Sequence, residues 1–193
     1  MITRLFLLSL LALTSALSLS ACTSVLSATT REPITINPGK RTMGARIDDR
    51  QITTVVRVNI NKAHEDLRTA QLRVFSYNGV VLLVGRVPNN ELKRLAGETA
   101  LKVTPVRQVN NELEVGDAKK VWSRSVDSWI TTKVKSKLLF NRDVESGRIR
   151  VITRNNTVYL MGLVSRAEAN RIAQIASQTK HVRKVVKVFE YID

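Results

Sequence analysis

The sequence is poor in the residues that most chemistry and covalent stapling require. Cys22 is the single cysteine among 193 residues, so the chain has neither a disulfide framework nor a cysteine-based zinc site. Two histidines, His64 and His181, have no metal-type partner at useful spacing and read as surface or structural residues. There is no phosphate-cradling glycine loop, no GxSxG, no zinc spacing and no clear carboxylate pair. The chain is therefore read as not an enzyme and as having no cofactor. Acidic residues are scarce, 16 against 31 Lys and Arg, and the formal net charge of +15 points to a polyanionic partner. The one long apolar run, residues 5 to 19, is too short for a comfortable membrane span, which takes about 20 residues.

What the sequence does contain is a stretch written twice. Residues 78–85 read NGVVLLVG and residues 155–162 read NNTVYLMG, with Gly85 and Gly162 lying 77 positions apart. The same offset pairs Val74 with Val151, Glu91 with Glu168, Arg94 with Arg171 and Ala96 with Ala173. Ile52-Thr53-Thr54 matches Ile130-Thr131-Thr132 one residue further on. Order survives these slips, so the pattern is an internal duplication. It predicts two domains, 48–115 and 125–193, joined by a short linker over 116–124. Each is near the lower size limit for a self-sufficient core, which favours mutual packing.

The amino terminus reads as a leader. Arg4 precedes the apolar run, and Leu19-Ser20-Ala21-Cys22 resembles the bacterial lipobox. That resemblance implies a signal peptide over 1–21 and a mature chain beginning at an acylated Cys22. A free or buried cysteine after an ordinary secretory signal is the alternative. Thr23 stands where sorting rules, by the same resemblance, would place an inner-membrane aspartate, so the outer membrane is expected. Residues 22–47 hold Pro33, Pro38 and Gly39 with no sustained apolar period, and read as a lipidated tether.

Each repeat predicts helix, strand, strand, helix, strand: an α+β unit with a three-stranded sheet packed against two helices. Ile52, Val56 and Ile60 give the first helix its apolar stripe, and HEDLRTA (64–70) reads as a polar link. Asn78-Gly79 and Asn155-Asn156 are hairpin turns. Pro88 is read as starting the second helix. Ser165 and Glu168 are spaced as a capping box, each side chain bonding the other's amide.

The first helix of the second repeat, about 125 to 140, departs from a simple amphipathic pattern. Ile130, Val134 and Leu138 form its inner stripe. On or near the opposite side fall Trp129, Leu139 and Phe140, with Thr132 and Ser136 between them and Lys133 and Lys135 alongside. Apolar rings beside flexible cations suit a peripheral membrane surface carrying anionic headgroups. Packing of Trp129 and Phe140 under the linker or against the first domain is the alternative. Charge follows the same asymmetry: residues 49–115 carry 10 basic against 7 acidic residues, whereas residues 126–192 carry 13 against 5.

Taken together, the repeated unit, its glycine after an apolar strand and the lipobox resemble the double BON-domain lipoproteins. The resemblance implies an outer-membrane protein, lipid-anchored through Cys22 and facing the periplasm. It further implies that the second domain binds anionic phospholipid, such as phosphatidylglycerol or cardiolipin, and that the protein supports envelope integrity, including at division sites. Trp129, Thr132, Lys133, Lys135, Ser136, Leu139 and Phe140 are the expected contact residues. Export argues against nucleic acid as the polyanion. A lipid-anchored scaffold docking an envelope protein partner is the second reading, and sensitivity to salt separates the two.

Overall fold

The computed structural model describes residues 39–116 and 124–193. Cys22, the leader, most of the tether and residues 117–123 lie outside the described residues.

The first repeat begins earlier than its apolar stripe suggests. Thr42 caps helix α1 (Met43–Ala63), its hydroxyl accepting from the Ala45 amide at 3.1 Å. The stretch read as tether is thus helical from Met43. Its opening turns contribute no core residue before Asp49, so no apolar period marked them. The segment read as a polar link also holds a short helix, α2 (Glu65–Thr69). His64 caps it through Nδ1, which accepts from the Asp66 amide at 3.1 Å, and Leu67 is buried. Strands β1 (Gln71–Tyr77) and β2 (Val80–Val87) follow, then α3 (Asn90–Leu101) and β3 (Gln108–Val115). Helix α3 is capped by Asn89 rather than started by Pro88: the Asn89 side chain accepts from the Leu92 amide at 2.8 Å, satisfying a donor that proline cannot.

The second repeat has α4 (Arg124–Leu139), a 3-10 turn over Ser146–Arg148, β4 (Arg150–Arg154), β5 (Thr157–Val164), α5 (Arg166–Ser177) and β6 (Lys184–Tyr191). Ser165 caps α5 as its spacing predicts, accepting from the Glu168 amide at 3.2 Å. The Glu168 carboxylate turns elsewhere: it accepts from the Glu145 amide at 3.3 Å and lies 3.6 Å from Arg148. The α+β unit read from the sequence is therefore present twice. In each sheet the middle strand is the second of the three, antiparallel to the first and parallel to the third.

These middle strands account for the repeated apolar runs. Val81, Leu83 and Val87 join Ile52, Val56, Ile60 and the α3 residues Leu92, Ala96 and Ala100 in one core. Val158, Leu160 and Val164 do the same with Ile130, Val134, Leu138, Ala169, Ile172 and Ala176. The alternate residues face away from the helices. Val80, Leu82 and Val84 with Tyr77 meet Tyr159, Met161 and Leu163 with Ile152 and Val188 in a third core between the two sheets. Each middle strand is thus covered on both faces, which removes the usual alternation of polar and apolar residues. Fully burying one such side chain contributes roughly 1.5–3 kcal/mol, so the domains are strongly coupled.

Polar contacts frame this third core. Glu190 accepts from Arg107 at 2.6 Å and from the Asn78 amide group at 2.8 Å. Tyr77 donates to the Arg148 carbonyl at 2.5 Å, and Arg150 donates to the Ser76 carbonyl at 3.1 Å.

One feature recurs in both domains. Asp49 on α1 accepts from the Asn78 and Gly79 amides at 2.8 and 3.0 Å, and from the Ser76 hydroxyl at 2.7 Å. Asp127 on α4 accepts from the Asn155 and Asn156 amides, both at 3.0 Å. The turn residues all have positive φ, from 50° to 75°, as the hairpin demands. Each first helix therefore holds its domain's hairpin by one buried carboxylate. Burial raises the Asp49 carboxyl, but bonds from Ser76, Gly79, Asn78 and Arg41 outweigh that and hold it below the ordinary range.

Candidate functional site

Helix α4 is oriented by its buried side. Asp127, Ile130, Val134 and Leu138 recur at i, i+3 and i+4 spacing and face the sheet. Every residue on the other side is consequently presented outward. Trp129 is 40% exposed, Leu139 68% and Phe140, just past the helix end, 82%. Thr132, Lys133 and Lys135 are exposed and Ser136 is half-buried.

The seven residues do not close around a common cavity. They form a ridge with a groove on each flank. Lys133, Ser136 and Phe140 line one groove of about 510 Å³, whose far wall is Ile175 and Gln178 at the end of α5. Lys135 and Leu139 line the other, of about 320 Å³, against Ser146, Gly147 and Ile149. Thr132 lies at a third cleft, near the head of α4. The Trp129 ring stands edge-on to His181 of its own domain, with centroids 5.5 Å apart and planes at 70°. Lys133 Nζ sits 5.9 Å from that ring, at the outer limit of a cation–π contact. Lys137 donates to the Gln178 carbonyl at 3.0 Å and so serves the end of α5.

Packing of Phe140 against the first domain is ruled out by its exposure. The interdomain contact that the sequence left open is made instead by the two sheets, with Trp129 supported by His181. The apolar surface of α1 was missed: Val55 and Val58 are 44% and 43% exposed. Sparse β-branched residues on a polar helix gave no periodic signal.

Among the described residues no helix is long and apolar enough to cross a membrane, and no group of three His, Cys, Asp or Glu side chains is placed to hold a metal ion. What the ridge offers is an aromatic and aliphatic crest with three lysines (Lys133, Lys135, Lys137) on one helix.

The BON domain family matches residues 48–117 and again residues 126–193, the two units built around β2 and β5. The chain belongs to the BON-domain family. Over 153 residues, 79% of each chain, it is 40% identical to the outer membrane lipoprotein DolP of Haemophilus influenzae. It is 37% identical over 152 residues to a 21 kDa hemolysin of Actinobacillus pleuropneumoniae, covering 79% of this chain and 78% of that one. With the osmotically-inducible protein Y of Escherichia coli it shares 31% identity over 146 residues, covering 74% and 72% of the two chains. The two BON domains carry the same clamp of aspartate on hairpin turn, but only the second BON domain carries the ring-and-lysine ridge.

Proposed function

We propose that the protein is a non-enzymatic outer-membrane lipoprotein, anchored through Cys22 and facing the periplasm. Its second BON domain makes an additional contact with anionic phospholipid through the α4 ridge. The observation that carries this reading is the exposure of Phe140, Leu139 and Trp129 beside Lys133 and Lys135 on one helix. A ring and an aliphatic side chain left in water gain free energy by entering the headgroup region. Each lysine beside an anionic surface adds about 1 kcal/mol, screened by salt. The likeness to a relative named as an outer membrane lipoprotein supports the anchor and the compartment. Acyl chains hold the protein to a membrane, and the ridge selects regions rich in anionic lipid, giving it a part in envelope integrity and at division sites.

Co-sedimentation tests this with the chain from residue 22 carrying Cys22→Ser, which has no acyl anchor. Binding is expected to phosphatidylglycerol vesicles and not to phosphatidylcholine vesicles. It should weaken at high salt, and fall about tenfold or more in Trp129→Ala/Lys133→Ala, which removes a ring and a cation. A folded protein that ignores both vesicles would favour a scaffold docking an envelope protein instead.

A further inference from the structure

The duplication places a cleft of the same make-up beside the first helix of each domain. At the head of α4, Arg124, Ser128, Thr131 and Thr132 line a cleft with Arg154 of β4, and Arg73 reaches it from β1 of the other domain. At the head of α1, Arg46, Arg50, Thr53 and Thr54 line the second cleft, and Arg150 reaches it from β4 of the second domain. Arg46 and Arg124, Thr53 and Thr131, and Thr54 and Thr132 are each 78 positions apart. The crossing arginines, Arg73 and Arg150, are 77 apart. Each domain therefore lends one guanidinium to the other domain's cleft.

Asp127 is the one carboxylate among the residues that line the α4 cleft, and a single negative charge cannot balance three guanidiniums. Asp127 is occupied by two turn amides, and three guanidiniums share its cleft. Among the described residues neither Arg73 nor Arg124 takes part in an ion pair. Burial first, and then the charge of Arg73, push Arg154 below the usual guanidinium range. Crowded like charges of this kind are relieved by an anion. Guanidinium forks match the oxygens of a phosphate, and they carry the recognition alone, because the threonine hydroxyls of both clefts donate to carbonyls of their own helices.

We propose that the two clefts are pseudo-equivalent phosphate-binding sites, and that the one formed by Arg73, Arg124 and Arg154 is the stronger. The α1 cleft is weaker because its cations are more engaged. Arg41, which also lines it, pairs with Asp49 at 2.5 Å, and Arg150 donates to the Ser76 carbonyl at 3.1 Å. The ligand is a phosphomonoester, borne by a lipid headgroup or by a small soluble molecule. The cleft shares Thr132 with the α4 ridge, but none of its three arginines is a ridge residue, so phosphate binding here does not require the ridge to bind lipid.

Titrating inorganic phosphate into the full chain in uncharged detergent, read by the arginine Nε–H resonances, tests the site. Saturable shifts of Arg73, Arg124 and Arg154 are expected, absent with chloride at equal ionic strength. Arg154→Gln and Arg73→Gln should each weaken binding about tenfold or more, the loss of one charge-assisted bond. Trp129→Ala/Lys133→Ala should bind phosphate as the wild type does, which separates this site from the ridge. No saturable shift, an equal response to chloride, or unchanged affinity in both arginine variants would overturn it. Micelles doped with phosphatidic acid that displace phosphate from the same resonances would assign the site to a lipid headgroup. Displacement by soluble glycerol phosphate alone would assign it to a free phosphomonoester.

Discussion

Gly85→Ala is expected to remove most of the stability of the first domain, whereas Gly162→Ala, the matching change in the second, should cost clearly less. Gly85 has φ of +137°, and a Cβ there would lie 2.1 Å from the Gln71 carbonyl oxygen and 2.9 Å from the Leu72 Cα. Both obstacles are backbone of the neighbouring strand β1, so no side chain can swing aside. Relief requires β1 and β2 to separate at the start of their pairing, where Leu72 and Gly85 face each other. Backbone strain alone costs about 1–3 kcal/mol. With the loss of pairing the total reaches about 4 kcal/mol or more, against a typical whole-protein stability of about 5–15 kcal/mol. At Gly162 no positive φ is involved, and the nearest atom is the Arg148 carbonyl oxygen at 2.9 Å. That oxygen is a backbone atom and has to move, so the change still costs about 1–3 kcal/mol, but without the added strain of a positive φ. Urea unfolding of the two variants side by side checks the order. Equal losses would mean that the two glycines serve one packing role and that φ at Gly85 is immaterial.

Asp49→Ala is expected to cost about 3–5 kcal/mol, because it strands buried partners rather than merely deleting a contact. The Asn78 and Gly79 amides, the Ser76 hydroxyl and the Arg41 guanidinium all lose their acceptor at once. Asp49→Asn, which keeps one carbonyl oxygen, should lose less. The pH dependence has a definite sign. The folded state holds the Asp49 carboxyl below its ordinary value despite burial, so ionised Asp49 stabilises the fold at neutral pH. That contribution is complete above the unfolded value of about 3.9 and is lost as pH falls through the lower folded value. The difference between wild type and Asp49→Ala, measured by urea unfolding, should therefore be constant from pH 7 to about 5 and shrink in stronger acid. A difference that grew on acidification would contradict the assignment of Asp49 as an ionised clamp.

How far the sequence reaches depends on which signal each element carries. The middle strands were legible because burial on both faces writes a continuous apolar run, and the duplication wrote it twice. The same continuity concealed the partner of the second face, since VVLLV reads identically whether it is covered by helix or by another sheet. The interdomain core of Leu82, Val84, Tyr159 and Met161 was therefore out of reach, although mutual packing was expected from domain size. Asp49 and Asp127 were passed over because a carboxylate on an apolar helical stripe looks like a solvated residue. Only the fold shows that each is placed at a hairpin 28 to 30 residues away. The outward face of α4 was legible, because Ile130, Val134 and Leu138 fix the helix rotation and thereby point Trp129 and Leu139 to solvent. The arginine clefts were not, since each draws one residue from the other domain and no linear pattern joins Arg73 to Arg124.

Fluorescence quenching at Trp129 tests the proposed ridge most directly. The chain contains two tryptophans, so Trp122→Phe leaves Trp129 as the sole indole. In the Cys22→Ser background, vesicles of phosphatidylglycerol with brominated acyl chains should quench Trp129 and shift its emission to the blue. Phosphatidylcholine vesicles brominated in the same way should do neither. Binding to the anionic vesicles with Trp129 unquenched and its emission unshifted would place the lipid contact away from α4 and contradict the proposed role of the ridge.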